Sequence, residues 1–341
     1  MHLLTVLSLI AVAVAHKQAT TAQEKAVESS LRDAALLCAP AVGFYTAGRK
    51  RAFARKALAS SAGYPTGIDD YALLFAQDSL HIGSSDESSL SCQAVEDKDV
   101  QNNTCILTPE VTSGPYYHVQ GHPIRQNIAE MQDGLLLLLD IGVIDVETCQ
   151  PVPDVLVDIW LANATGSYSG HPDPVGSSNY SGIPGAIPRT QPAETWLRGA
   201  WATDQNALER NAPSAIFPGY YQDRATHVHV KVFPEWTVVH ENGMFAPGRL
   251  AHVGQFFFED DVNVVVDKMH PYTDNPIRNT LGRTRNWDDS FHIFEDASRN
   301  GYNPVFKTHL LGSVISQGLV AYITMGVNMS ASHTNSLLDV M

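Results

Sequence analysis

The stretch His227-Val228-His229-Val230-Lys231-Val232-Phe233 alternates polar and apolar side chains as far as Val232. In a β-strand, successive side chains point to opposite faces, so both histidines and the lysine share one face and the three valines share the other. The valines can then face a hydrophobic core while the two imidazoles converge on one ion. The pattern therefore predicts a strand that carries a candidate metal site on its polar face.

Short runs of β-branched residues or leucine, separated by proline, glycine and aspartate, follow one another after residue 107. Such runs form short strands and the residues between them favour turns, which is typical of a β-sandwich. We therefore predict an all-β fold, an antiparallel β-sandwich with an N-terminal helical extension, in which the sandwich covers residues 107–330 and residues 331–341 form a tail. The clearest predicted strands are 135–143, 155–160, 227–233, 253–258 and 319–327.

The residues before the predicted sandwich have a different composition. Residues 3–14 are mainly apolar, and Ala13-Val14-Ala15 resembles a signal-peptidase site. We therefore expect residues 1–15 to be a removed signal peptide and the mature protein to be secreted and extracellular. Residues 16–106 are expected to form the helical extension and a linker, because 23–62 is rich in alanine, leucine and charge whereas 83–99 is polar.

The cysteines and glycosylation sequons agree with a secretory route. Four cysteines allow one or two disulfides, and three pairings of all four remain open. The cysteines are Cys38, Cys92, Cys105 and Cys149, and Asn-X-Ser/Thr sequons begin at Asn102, Asn163, Asn179 and Asn328. We therefore expect disulfides rather than a cysteine-bound metal, and a glycoprotein.

The charge balance bears on possible partners. The chain has 22 lysines and arginines against 36 aspartates and glutamates, a formal net charge of −14. No long basic run is present to bind a phosphate backbone, so nucleic acid is not an expected partner. After the N-terminal run no stretch approaches the roughly 20 apolar residues of a membrane-spanning helix, so no membrane is expected either.

Tyrosines lie close to the predicted metal strand in the sequence. Residues 218–221 read Pro-Gly-Tyr-Tyr, and Arg224 precedes His227 by three residues. A turn at this point can return a tyrosine toward the histidine face. Tyr168 follows a predicted strand that a sandwich can place opposite. Tyrosine and histidine are both metal ligands, so the neighbourhood favours a metal site over a solvated strand.

Several ordered segments between residues 107 and 327 recur together. They are 108–117 (TPEVTSGPYY), 143–149 (VIDVETC), 160–168 (WLANATGSY), 197–199 (LRG) with 203–204 (TD), 217–221 (FPGYY), 224–229 (RATHVH) and 255–261 (QFFFEDD). In this combination and order the chain resembles the intradiol ring-cleavage dioxygenases, especially a secreted branch of that family.

The resemblance implies that Tyr168, Tyr221, His227 and His229 bind a non-haem Fe(III) ion. In the family's Pro-Gly-x-Tyr turn the ligand is the fourth residue, which matches Tyr221 rather than Tyr220. A free phenol has a pKa of about 10, so only a strongly Lewis-acidic ion holds two tyrosines as phenolates near neutral pH. Two phenolates and a hydroxide balance the three positive charges.

The resemblance also implies the reaction and its participants. The expected enzyme is an intradiol ring-cleaving dioxygenase, whose partners are a catechol-type aromatic molecule and O2. It cleaves the ring between the two hydroxyl-bearing carbons and gives a muconate-type diacid. Tyr221 then accepts a substrate proton as a general base, while Arg224 and Gln255 match positions beside the substrate and the developing negative charge.

A cupin is disfavoured, because its glutamate follows the His-x-His motif after three or four residues, whereas Glu235 follows His229 after five. Two other readings compete with this expectation. Cleavage after Ala15 exposes His16, whose amine and imidazole could bind copper as in a secreted copper oxygenase. The chain could also be a β-sandwich binding module that kept the fold without turnover. The joint presence of four candidate ligands and Arg224 argues against the second reading, because a decayed site tends to lose at least one of them.

Overall fold

The computed structural model describes residues 21–61, 110–111, 113–118, 120–171, 193–204, 214–239, 243–299 and 301–333. The signal peptide, His16, the linker, Cys92, Cys105 and the sequons at Asn102 and Asn179 lie outside these residues. The helices are α1 (Ala22–Ser61), α2 (Asp260–Val266) and α3 (Ile293–Arg299). The strands are β1 (Leu136–Asp145), β2 (Leu156–Leu161), β3 (Arg198–Ala202), β4 (Ser214–Ile216), β5 (His227–Phe233), β6 (Trp236–Val239), β7 (Met244–Pro247), β8 (His252–Phe257), β9 (Lys307–Leu310) and β10 (Leu319–Val327).

Two four-stranded sheets form the predicted sandwich. One sheet has the order β4-β1-β10-β9 and the other has the order β3-β2-β5-β8, while β6 and β7 form a separate hairpin. All pairs in the second sheet are antiparallel, whereas β1 and β10 in the first sheet run parallel. The all-β prediction and the helical extension are confirmed, with one sheet mixed rather than purely antiparallel.

The core lies between the two sheets. Val228, Val230 and Val232 of β5 are fully buried and belong to the same hydrophobic cluster as Leu137 and Leu139 of β1. Their alternation matches the prediction for this strand, so the valine face of β5 points into the sandwich. The opposite face of β5 is also buried, because the segment before β1 and the turn after β2 cover it.

Helix α1 packs on the outer surface of the first sheet through a buried ion pair. The Arg49 side chain donates hydrogen bonds from Nε to a carboxylate oxygen of Asp140 at 2.8 Å and from Nη1 to the Thr324 hydroxyl at 3.0 Å. Gly142 leaves the space for this side chain, because a Cβ there would collide with the guanidinium. The polar contacts fix the helix on β1 and β10.

A disulfide provides a second attachment for α1. Cys38 and Cys149 are bonded to each other, 111 residues apart in the sequence. The expectation of disulfide-bonded cysteines is therefore confirmed for this pair. Among the helices of the described ranges, none is long and apolar enough to cross a lipid bilayer.

Candidate metal centre

Four side chains from three segments converge on the polar face of β5. The Nε2 atoms of His227 and His229 are 3.1 Å apart. The Tyr168 phenol oxygen is 3.0 Å from Nε2 of His229 and 3.5 Å from Nε2 of His227. The Tyr221 phenol oxygen is 3.2 Å from Nε2 of His227. The structure therefore brings together the four side chains that the sequence predicts as ligands.

The spacing of these four atoms suits one metal ion. Bonds from a metal to imidazole nitrogen or to oxygen are roughly 2.0–2.2 Å, so ligand atoms at right angles are about 3 Å apart and those at tetrahedral angles about 3.4 Å apart. The distances of 3.0 to 3.5 Å match that range. In the described ranges no group of three or more His, Cys, Asp or Glu side chains could hold a metal, so a site here depends on the phenol oxygens.

Both imidazoles are in the form that binds metals. Burial, followed by the charge of Arg224, lowers the pKa of His227 well below its usual value, and burial together with His227 does the same for His229. Near neutral pH the two rings are therefore uncharged. Nδ1 of His227 lies 2.6 Å from the Ala225 carbonyl oxygen. A proton on Nδ1 donates to this carbonyl and leaves the lone pair of Nε2 facing the cluster.

The two phenols respond to burial in the opposite sense. Burial raises the pKa of both Tyr168 and Tyr221 above the usual value. Without a cation beside them the phenols stay protonated, whereas a highly charged cation at the centre converts them to phenolates. A pair of phenols with a pair of neutral imidazoles therefore fits a trivalent, strongly Lewis-acidic ion.

Glycines allow the turn before Tyr168 and the turn before Tyr221 to pack closely against each other. Gly166 has a φ of 85°, and a Cβ there would collide with the carbonyl oxygen of Tyr220. Gly219 is packed equally closely against the backbone of the first turn. Each glycine stands two residues before a candidate ligand, Tyr168 or Tyr221. The Gly-x-Tyr spacing at both places is thus a requirement for close approach of the turns.

The structure distinguishes Tyr221 from its neighbour Tyr220. The Tyr220 ring lies 4.4 Å from the guanidinium carbon of Arg283, and its carbonyl oxygen accepts a hydrogen bond from Asn275 at 2.7 Å. Adjacent side chains of an extended segment point to opposite sides. Tyr221 therefore reaches the histidines, and Tyr220 packs against the segment after β8.

Arg224 and Gln255 both lie beside the four candidate ligands. Nη1 of Arg224 donates to the Tyr221 phenol oxygen at 3.3 Å, and Nη2 of Arg224 donates to Oε1 of Gln255. Gln255 lies directly opposite His229 in the β5–β8 pairing. Its Nε2 group is buried and has no hydrogen-bond partner in the described part of the chain. This amide is thus a donor available to an oxygen atom bound in the site.

Aromatic rings hold two of the candidate ligands. The Trp160 ring stacks on His229 with centroids 4.6 Å apart and an interplanar angle of 7°. The Tyr116 ring stacks on Tyr168 with centroids 4.7 Å apart and an angle of 11°. Trp160 lies opposite His229 in the β2–β5 pairing. Stacking on both rings restricts the rotation of the side chains that would bind the metal.

A buried charged network lies next to the candidate ligands, and sequence analysis did not identify it. Asp158 accepts hydrogen bonds from the Tyr117 hydroxyl at 2.9 Å and from Nδ1 of His122 at 2.5 Å. Asp158 lies opposite Lys231 in the β2–β5 pairing, and Nζ of Lys231 lies 3.5 Å from the centroid of the Tyr117 ring. A signal was available, because a lone aspartate within the apolar strand β2 requires buried partners.

Arg198 of β3 connects this network to a candidate ligand. Its Nε donates to the Ser169 hydroxyl at 2.6 Å, and its Nη2 donates to the Ser169 carbonyl oxygen at 2.9 Å. Ser169 directly follows Tyr168, so Arg198 fixes the backbone that carries this tyrosine. The Leu-Arg-Gly segment was part of the resemblance, but its sequence alone does not show what the arginine contacts.

Comparison with known proteins rests on solved structures. No family model and no curated protein matches the chain. An intradiol ring-cleavage dioxygenase from Tetranychus urticae is 25% identical, with a TM-score of 0.52, over 67% of this chain and 98% of that one. A second solved dioxygenase is 25% identical with a TM-score of 0.51 and the same coverage.

The match covers nearly the whole of both solved structures and two thirds of this chain. The resemblance that the sequence motifs indicated and the similarity of the solved structures therefore agree. In its fold and in its similarity to these two structures, the chain resembles the intradiol ring-cleavage dioxygenases.

Proposed function

We propose that the protein binds one non-haem Fe(III) ion through Tyr168, Tyr221, His227 and His229 and cleaves the ring of a catechol-type substrate with O2. The observation that carries this proposal is the convergence of two phenol oxygens and two imidazole nitrogens, in which Nε2 of His227 lies 3.1 to 3.5 Å from the other three atoms and the Tyr168 oxygen lies 3.0 Å from Nε2 of His229. When bound, the ferric ion supplies the Lewis acidity that activates the substrate ring. The product is a muconate-type diacid.

The residues around the candidate ligands have distinct tasks in this proposal. The Tyr221 oxygen takes one hydroxyl proton of the catechol, which is general-base work. Arg224 lies within 3.3 Å of that oxygen and stabilises negative charge that develops on the substrate. The free amide of Gln255 donates a hydrogen bond to a substrate oxygen. Phe257, next to His227 at a centroid distance of 6.2 Å, helps to exclude water.

We also propose that the protein is secreted. The apolar run at residues 3–14, followed by a small-residue cleavage pattern, supports this route. The bonded cysteines Cys38 and Cys149 support it as well, because structural disulfides are typical of oxidising compartments. Expression with the native N-terminus, followed by N-terminal sequencing of protein in the medium, tests the proposal. An N-terminus at His16 is the expected result, and protein retained in the cell contradicts it.

Iron binding is tested with the purified protein. Reconstitution with a ferric salt is expected to give a wine-red to brown colour from charge transfer between tyrosinate and iron. Tyr220→Phe is the matched control and keeps the colour, because Tyr220 packs against Arg283 rather than the histidines. A protein that takes up no ferric iron and stays colourless contradicts the proposed centre.

The reaction is tested with a panel of catechols. Oxygen uptake is measured for catechol, hydroxyquinol and protocatechuate, and the products are analysed by mass spectrometry after reaction with isotope-labelled O2. Incorporation of both oxygen atoms into a ring-opened diacid is the expected result. Oxidation of the catechol to a quinone without incorporation of oxygen contradicts ring cleavage.

A further inference from the structure

We propose that Asp289 is the positioning residue of the site and that its carboxylate also restricts the site to uncharged catechols. It holds Arg224 and the turn before β5 in their working arrangement. The proposal rests on the proposed ring-cleaving function. Asp289 lies 60 residues beyond His229 in the sequence and belongs to none of the motifs that indicated the family.

The Asp289 carboxylate determines how the Arg224 guanidinium is oriented. Nε of Arg224 donates to both carboxylate oxygens at 3.1 and 3.0 Å, and Asp289 is fully buried. Nη1 donates to Tyr221 and Nη2 donates to Gln255. Each nitrogen thus has its own partner, and anchoring Nε leaves the other two nitrogens facing the site.

The same carboxylate supports the backbone around His227. One oxygen of Asp289 accepts a hydrogen bond from the Ala225 N–H at 2.8 Å, and the other accepts one from the Phe291 N–H at 3.0 Å. The Ala225 carbonyl in turn lies 2.6 Å from Nδ1 of His227. One carboxylate therefore fixes both the arginine and the peptide that orients a candidate ligand.

The segment around Asp289 is attached to this turn at further points. Ser290 N donates to the Asp223 carbonyl oxygen at 3.0 Å. The Phe291 ring lies 4.2 Å from the guanidinium carbon of Arg224, a distance typical of a cation–π contact. Arg224 is therefore held between a carboxylate at its edge and an aromatic ring on its face.

The ion pair also changes the charge that a substrate meets. Arg224 and Asp289 together are neutral, so the arginine orients a hydrogen bond without offering a net positive charge. A catechol that carries a carboxylate, such as protocatechuate, gains little from such a pair. Replacing Asp289 by a neutral residue leaves the charge of Arg224 uncompensated. The affinity for a substrate that carries a carboxylate then rises roughly tenfold when the two charges are several ångströms apart.

The first experiment compares Asp289→Asn with a matched control, Asp140→Asn. Asp140 is the carboxylate partner of buried Arg49 on the outer side of the first sheet, away from the candidate ligands. In Asp289→Asn, kcat for catechol is expected to fall about 10- to 100-fold because Arg224 is misplaced, with KM changed less than about threefold. The preference for protocatechuate over catechol, measured as the ratio of their kcat/KM values, rises about tenfold. Asp140→Asn changes neither quantity, and equal effects in both variants overturn the proposal.

A double-mutant cycle tests whether Asp289 acts through Arg224. Arg224→Met and Arg224→Met/Asp289→Asn are expected to have nearly the same kcat, because Asp289 then has no arginine to position and the asparagine oxygen can still accept the hydrogen bond from the Ala225 N–H. The double variant removes both buried charges and therefore folds even where the single aspartate variant does not. A further tenfold loss in the double variant overturns the proposal.

A measurement without turnover separates this proposal from the proposed function. Hydrogen–deuterium exchange of peptides covering residues 221–229 is expected to speed up about tenfold in iron-loaded Asp289→Ala, and not in Asp140→Asn. If the wild type is inactive and Asp289→Ala still exchanges faster than the wild type, ring cleavage is contradicted but the positioning role of Asp289 stands. Unchanged exchange in Asp289→Ala overturns the positioning role of Asp289, whether or not the wild type is active.

Discussion

The two faces of strand β5 are equally buried and yet differ in almost every other respect. On one face Val228, Val230 and Val232 pack in the core between the sheets. On the other face His227, His229 and Lys231 each lie against specific polar or aromatic groups. The valine face depends on volume and on exclusion of water, whereas the polar face depends on the identity of each partner.

This difference predicts how the two faces respond to change. A hydrophobic core tolerates substitution at a cost that follows the buried area, and its neighbours can partly relax. A buried polar group without its partner is an unpaired dipole or charge, which is more costly and has no such relaxation. The predictions change a residue on or next to the polar face and, for each of the first three, name a matched control residue.

The largest effect is expected for His229→Ala. Loss of one imidazole nitrogen leaves three of the four converging donors, so iron content falls to background and ring cleavage is lost. Val230→Ala on the opposite face is the matched control and reduces the free energy of unfolding by about 2 kcal/mol while keeping iron. Metal analysis and thermal unfolding of both variants check this. Full iron content in His229→Ala would contradict the proposed ligand set.

A large loss of stability is expected for Asp158→Ala. Removing this carboxylate leaves the buried cations Lys231 and Arg198 without its compensating charge. The free energy of unfolding is expected to fall by about 3–5 kcal/mol. Val157→Ala, one residue earlier and on the core face, is the matched control and costs about 2 kcal/mol. Denaturant unfolding measures both. If Asp158→Ala loses no more stability than Val157→Ala, the carboxylate does not compensate buried charge.

A smaller effect, limited to the reaction, is expected for Tyr221→Phe. Ring cleavage is expected to fall about 100-fold because the proposed general base is lost, while part of the iron remains bound. Tyr220→Phe is the matched control and keeps activity. Steady-state rates and the charge-transfer band of each variant are measured. If Tyr220→Phe is inactive and Tyr221→Phe is active, the ligand is Tyr220 rather than Tyr221.

The smallest effect is expected from pH. His171 packs edge-on against Tyr116, and His118 lies next to His171. Burial and the nearby Arg198 lower the pKa of His171 to about 4, and the same causes, with other histidines, lower the pKa of His118 to about 2. In the unfolded chain both titrate near 6.5, so the unfolded state binds more protons below that pH. Stability from the neutral rings is complete above about pH 6.5 and is lost as the pH falls toward about 4.

Thermal unfolding between about pH 7 and pH 4.5 measures this dependence. Tm is expected to fall by about 5 °C more in the wild type than in His171→Phe, which removes one of the two titrating rings. Equal slopes in the two proteins would contradict the role of His171.

The features that depend on neighbouring residues were predicted well from the sequence. The bounds of β5 and β10 agree with the predicted strands, since alternation and composition are properties of neighbouring residues. The four converging side chains were also predicted, two from strand alternation and two from resemblance to a family.

The contacts between distant segments were not predicted. Asp289 meets Arg224 across 65 residues and Asp158 meets His122 across 36, and no periodicity relates such positions. The partner of Cys38 was equally open, because the pairing depends on where α1 packs. These features depend on strand register and turn direction, which composition does not encode.

The bond between Cys38 and Cys149 has a consequence for a chain that is cut. Any single cleavage between these residues, including one anywhere in residues 62–109, leaves two pieces that stay covalently joined. The fragment that carries α1 then remains attached to the sandwich, and Arg49 stays next to Asp140. A nicked protein is expected to migrate as one band without reductant and as two bands with it, so nicking of this region does not by itself release the helix.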